Sequence, residues 1–210
     1  MARPGERSQQ SPPAAKGEQA PNEAGKPQNN DKAAKAKPSP LKSVPQTAEE
    51  KARLLSDLYA QLATAETEAA SKPLVAAIQR LWAISGSDTV NLLLRRAAEA
   101  ARKKDTDLAL KLYDYAVALA PDYAEAFNQR AFYYFSQNNF EAAVGDLRRV
   151  LALDPNHFKA LEGLVQIMRE TGNKKGAYRV LQQLLDVHPF SPGAKPAYDE
   201  LKRDVEGQGI

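Results

Sequence analysis

The chain has no cysteine, only two histidines, and no run of roughly 18 apolar residues such as a membrane-crossing helix needs. The first absence excludes a disulfide framework, a thiolate zinc site and a cysteine nucleophile, and leaves the redox compartment open. His157 and His188 stand 31 residues apart with no further ligand at zinc spacing, so no metal is expected. No Ser/His/Asp order and no glycine-rich phosphate loop after a strand occurs. No catalytic residue and no cofactor are therefore expected, and Glu66, Glu68, Asp105 and Asp107 are taken as exposed helix-end acids.

Within its 210 residues the chain carries a formal charge of +3, which on its face suggests an anionic partner. Dividing the charge by segment removes that reading. Residues 1–46 hold eight Lys/Arg against four Asp/Glu, so the remainder is close to neutral, and no nucleic-acid partner is expected. The same segment has eight of the fourteen prolines and no aromatic residue. Burial there cannot offset chain entropy, and residues 1–46 are expected to be a disordered tail.

From residue 47 long apolar-periodic runs are broken by single prolines, and Pro121, Pro155 and Pro189 lie 34 residues apart. Ala109, Ala143 and Ala177 keep the same interval, twelve residues ahead of each proline. Superposing 90–123, 124–157 and 158–191 aligns Leu93 with Phe127 and Leu161, Ala97 with Ala131 and Val165, and Ala100 with Tyr134 and Met168. Tyr113, Leu147 and Leu181 follow the alanines, then Ala116, Val150 and Leu184. This order of large, small, aromatic, alanine, large and proline resembles the tetratricopeptide repeat (TPR).

The resemblance implies an all-α, right-handed solenoid of helix hairpins with a capping helix or helix pair at each end. Turns are expected at Lys103–Thr106, Gln137–Asn139 and Thr171–Asn173, and the alanines sit where paired helices approach closely. The pattern has departures: the first unit has Arg102, Lys103 and Lys104 where glycine is usual, and in the first and second units Arg96 and Arg130 replace a leucine. Residues 47–89 are expected to form a degenerate N-terminal capping pair, with Thr47 and Glu50 as a capping box and a second helix starting at Pro73. Residues 192–210 are expected to hold a C-terminal capping helix from Pro196, with Tyr198, Leu201 and Val205 on one stripe.

The segments Ser85-Gly86-Ser87-Asp88, Val150 to Phe158 and Val205 to Gly209 are also similar to a family of small alphaproteobacterial repeat proteins. That resemblance implies a periplasmic setting, since such relatives begin with a signal peptide, whereas no signal is seen in this chain and a cytoplasmic setting is the other expectation.

In a TPR array the first helices build the concave wall, and peptide or protein partners are expected there without catalysis. The wall-facing offsets read Asn91, Leu94, Ala98 and Arg102 in the first unit, Glu125, Asn128, Phe132 and Phe135 in the second, and Lys159, Glu162, Gln166 and Arg169 in the third. Asn128 suits a peptide backbone, Arg102, Lys159 and Arg169 suit carboxylates, and the two phenylalanines either hold an apolar anchor or pack on the neighbouring unit. The dicarboxylate clamp of chaperone-binding repeats is not expected, because its offsets read Leu94, Ala98, Gln129, Lys159 and Gly163, of which only Lys159 matches. Two other roles are compatible with the sequence: a self-assembling component, monomeric or weakly oligomeric, and a tether to an anionic surface through Lys32, Lys35, Lys37 and Lys42.

Overall fold

The computed structural model describes Pro45 and residues 47–207, without the side chain at 206. The expected disordered tail therefore lies, apart from Pro45, outside the described residues. Among the described residues there are nine helices and no strand: α1 (Ala48–Ala63), α2 (Glu68–Trp82), α3 (Asp88–Arg102), α4 (Thr106–Leu119), α5 (Ala124–Ser136), α6 (Phe140–Leu153), α7 (Phe158–Glu170), α8 (Lys174–Val187) and α9 (Ala194–Gly207).

Three hairpins, α3/α4, α5/α6 and α7/α8, are built by one turn used three times. Lys104, Asn138 and Gly172 each take a left-handed φ, at 62°, 58° and 73°. That kink lets the next amide reach back to a carbonyl of the last helical turn: Asp105 to Ala100 at 3.0 Å, Asn139 to Tyr134 at 2.9 Å and Asn173 to Met168 at 2.8 Å. The same three residues then start the second helices. Their side chains accept from the amides of Leu108, Ala142 and Gly176 at 3.2, 3.2 and 2.9 Å. The first unit thus makes the turn without glycine, at a steric cost borne by Lys104.

Between units, Ala120, Asp154 and His188 leave the helical region, with φ between −134° and −141° and ψ between 70° and 92°, because each precedes a proline. In each connector the amide three residues on, from Tyr123, His157 and Ser191, donates back to that residue's carbonyl at 3.0–3.1 Å. Ala109, Ala143 and Ala177 have no exposed surface, so the paired helices meet where only a methyl group stands between them.

The ends differ from expectation in three ways. First, α2 begins at Glu68, not Pro73: Thr67 caps it by accepting from Ala70 at 3.1 Å, which carries the helix through the proline. Second, α9 begins at Ala194, two residues before Pro196, because amides of a first helical turn need no intrahelical partner. It packs on α8, burying Leu201, stacking Tyr198 on Tyr178 at 4.9 Å and pairing Lys174 with Asp204 at 2.7 Å.

Third, the N-terminal pair does not cap the first unit. α1 packs on α8, and Leu58, Leu62, Ile78, Leu81 and Trp82 share one core with Phe158, Leu161 and Leu181 of the third unit. The reason is chemical: a buried Tyr and Trp need partners for their polar atoms. Asp154, in the connector before α7, accepts from Tyr59 Oη at 2.6 Å and from Trp82 Nε1 at 3.2 Å. Tyr123, in the connector before α5, donates to the Trp82 carbonyl at 2.8 Å. The pair therefore runs along the connectors like a brace.

Candidate functional site

The first helices touch one another in sequence, α3 with α5 and α5 with α7, while the second helices make no comparable contact. The array bends toward the first helices, which makes their side the inner wall. Between α5 and α7 this wall opens into a cavity of about 320 Å³. Its floor is Ala131, Leu147 and Ile167, and its sides are Phe132, Phe135, Lys159, Glu162 and Gln166. Gly163 keeps it open, since a Cβ there would stand 3.2 Å from Leu147 Cδ1.

Phe132 leaves half of its surface exposed, whereas Phe135 turns toward Phe140 in its own hairpin, with ring centroids 5.6 Å apart. Phe135 is half-buried and packs on the core shared by the second and third units, so of the two rings Phe132 is the one left open. On the rim, Lys159 pairs with Glu162 at 2.8 Å, and Glu162 also accepts from Ser191 Oγ at 3.0 Å. Gln166 donates to Glu170 at 2.9 Å. The rim charges thus offset each other, leaving an apolar slot with a polar edge.

The other sequence-derived positions stand apart from this slot. Asn128 is 5% exposed and gives its amide to Glu125 Oε2 at 3.0 Å, with Oδ1 buried and unpartnered. Glu125 also accepts from Gln129 at 3.2 Å and lies 3.5 Å from His157 Nε2. Asn91 is tied to the turn before α3, where its Oδ1 accepts from Ser85 Oγ at 2.7 Å. Arg102 and Arg169 are exposed near the ends of α3 and α7 and do not line the cavity.

Two features escape a residue-by-residue reading. Arg130 makes a two-pronged contact with Asp146, 2.8 and 2.7 Å, and reaches Asp114 on α4 at 2.8 Å. These carboxylates hold the guanidinium pKa above its ordinary value against the opposing effect of burial. In the third unit the equivalent positions are Leu164 and Val180, so a paired polar replacement in the register was the available signal.

The second feature is a cleft of about 540 Å³ between α1 and the connectors, lined by Lys51, Tyr59, Trp82, Tyr123 and Asp154. Its polar groups are largely engaged within the protein: Lys51 donates to the Ile84 carbonyl, and burial lowers its pKa.

Hairpins at a 34-residue interval, joined by identical turns and curved around an inner wall, define a helical-repeat interaction fold. A family model described as tetratricopeptide repeat matches residues 134–202. A TPR repeat-containing protein of Rhizobium etli is 33% identical over 153 residues, covering 73% of this chain and 75% of that protein. The chain belongs to this TPR-containing family. Human serine/threonine-protein phosphatase 5 is 27% identical over 105 residues, 50% of this chain and 21% of its own. Among solved structures, the Sgt2 TPR domain from Aspergillus fumigatus superposes with a TM-score of 0.51 at 22% identity, over 58% of this chain and 82% of that one. The first TPR domain of Spaghetti (RPAP3), bound to the HSP90 peptide SRMEEVD, gives 0.52 at 18% identity over 57% and 95%. Both structural likenesses bear on the fold. No helix among the described residues is long and apolar enough to cross a membrane.

Proposed function

We propose that the chain is a non-enzymatic interaction scaffold that takes a peptide or protein segment on its inner wall, with one large apolar side chain seated between α5 and α7. The observation that carries this reading is the half-exposed Phe132 beside an apolar cavity of about 320 Å³. A buried anchor in a pocket ringed by polar atoms is the usual source of affinity in peptide recognition. Lys159, Glu162 and Gln166 on the rim supply hydrogen bonds to the segment's backbone and set its direction.

The RPAP3 domain holds an HSP90 peptide ending in Glu-Glu-Val-Asp. Here the positions that would clamp such an acidic end argue for a different ligand: Leu94 is buried in the core, and Lys159 is already paired with Glu162. The favoured partner is a neutral, apolar-anchored segment.

Selection of a random peptide library on the immobilised full chain tests this. Sequences sharing one large apolar residue, with binding lost in Phe132→Ser, are the expected result. Enrichment of acidic C-termini, or equal binding by Phe132→Ser, contradicts the reading.

A further inference from the structure

The three units leave two boundaries along the array, and the two are closed differently. Between the first and second units Tyr133 spans the boundary: its buried ring lies 5.4 Å from Tyr113, and Oη donates to the Thr106 carbonyl at 3.1 Å. Arg130 adds a second link, to Asp114 on α4 at 2.8 Å. One repeat later these positions are Ile167 and Leu164, whose aliphatic side chains can make neither bond. Gly163 likewise stands where the second unit has Gln129. The slot between α5 and α7 is open because the side chains that would span it are replaced by shorter, apolar ones. An open gap does not set its own width.

Trp82 supplies a link from outside the repeats. Its carbonyl accepts from Oη of Tyr123, the residue before α5, at 2.8 Å. Its indole Nε1 donates to Asp154 at 3.2 Å, and its ring stacks on His157, the N-cap of α7, at 3.8 Å. Phe158, the first residue of α7, packs on the same ring with centroids 4.6 Å apart. One buried residue therefore grips the N-terminal ends of both helices that flank the slot. Phe132 follows Ala124, the first residue of α5, by eight positions, which places it about 12 Å along the helix from that grip. At such a distance a tilt of roughly 10° moves the slot wall by about 2 Å, enough to decide whether a close-packed side chain fits.

We infer that Trp82 is a positioning residue for the inner-wall slot: without touching a ligand, its tie between Tyr123 and His157 holds α5 and α7 at the separation that admits the anchoring side chain. This rests on the reading of the slot as a peptide site. Coupling of this kind runs both ways, so a segment seated in the slot holds the brace down by the same factor that the brace raises its affinity.

Trp82→Phe deletes the indole N–H and Tyr123→Phe the phenol, each keeps a ring in place, and neither residue lines the slot. Without ligand, methyl spectra of the labelled full chain are expected to show shifted Leu147 and Ile167 signals in both variants, at unchanged helical circular dichroism. A library-selected peptide that lacks tryptophan and needs Phe132 is expected to bind each variant about fivefold more weakly or worse, the low end of ordinary coupling between sites. In the wild type the one tryptophan gives one indole N–H signal, and its hydrogen exchange is expected to slow when that peptide saturates the chain. Wild-type affinity in both variants, an indole exchange rate untouched by peptide, or Leu147 and Ile167 methyls unmoved in both variants would each overturn the inference. If no peptide depends on Phe132 while those methyls move in both variants, the anchor reading fails and the tie stands.

Discussion

Trp82 lies flat on His157, with ring centroids 3.8 Å apart and an interplanar angle of 13°. One ring ends the N-terminal pair and the other caps the first helix of the third unit, so this single contact joins positions 75 residues apart. His157 Nδ1 accepts from the Ala160 amide at 3.2 Å, which caps α7 and fixes the imidazole in the plane that the indole covers.

Removing the indole should undock the brace. Trp82→Ala is expected to cost about 3–5 kcal/mol, the range for deleting a large buried aromatic side chain. Trp82 is the one tryptophan in the chain, so in the wild type its fluorescence reports docking directly. Urea titration followed by circular dichroism checks the loss. A midpoint unchanged by the substitution would show that the brace adds nothing to the repeats.

Acid should weaken the fold through His188. Its ring is packed against Phe158, at 5.2 Å between centroids, and Nδ1 is buried without a partner. Burial lowers its pKa from 6.5; Glu162 opposes that shift and Lys159 adds to it. With the folded value below the unfolded one, the unfolded chain takes up the proton first. His188 thus disfavours the native state as pH falls through about 6.5, until its own folded value is passed. Urea midpoints at pH 7.5 and at pH 5.5 are expected to fall with acid, and the difference to shrink in His188→Gln.

Arg130 and Asp146 replace an apolar contact, which makes a graded prediction possible. Arg130→Ala strands the buried Asp146 carboxylate and is expected to cost about 3 kcal/mol; Asp146→Ala costs less because Arg130 keeps Asp114. The Arg130→Leu, Asp146→Val double variant copies Leu164 and Val180 of the third unit and is expected to match the wild type within about 1 kcal/mol. Equilibrium unfolding of the three chains checks the order.

The turn of the first unit can be improved. Lys104 holds φ at 62°, where Gly172 does the same work in the third unit. Lys104→Gly relieves the side-chain clash but adds freedom to the unfolded chain, for a net gain of about 0.5–1 kcal/mol. Asn138→Gly should gain less, because asparagine tolerates this region. A rise in thermal midpoint for the first and little change for the second is expected.

The repeats were legible because their constraints are local and recur. Ala109, Ala143 and Ala177 must be small wherever two helices meet, and Pro121, Pro155 and Pro189 must end a helix, so the interval shows in the letters themselves. The wall was partly legible: register places Phe132, Phe135, Lys159, Glu162 and Gln166 on one side, and these five surround the cavity. Register alone does not show that Asn128 spends its amide on Glu125. The brace was not legible, because the contacts of Tyr59 and Trp82 with Asp154 and His157 occur once and follow no period. The start of α2 is not marked by Pro73, because Thr67, six residues upstream, outweighs it as the start signal.

The central claim is that a ligand's apolar side chain enters between α5 and α7. Titration of a library-selected peptide into isotopically labelled full chain, followed by amide and methyl chemical-shift mapping, tests it most directly. The account predicts the largest shifts at Phe132, Phe135, Lys159, Gly163 and Ile167, with little change on α4 or around Lys51. Shifts centred on the Lys51 cleft or on α4, with Phe132 unmoved, would contradict it.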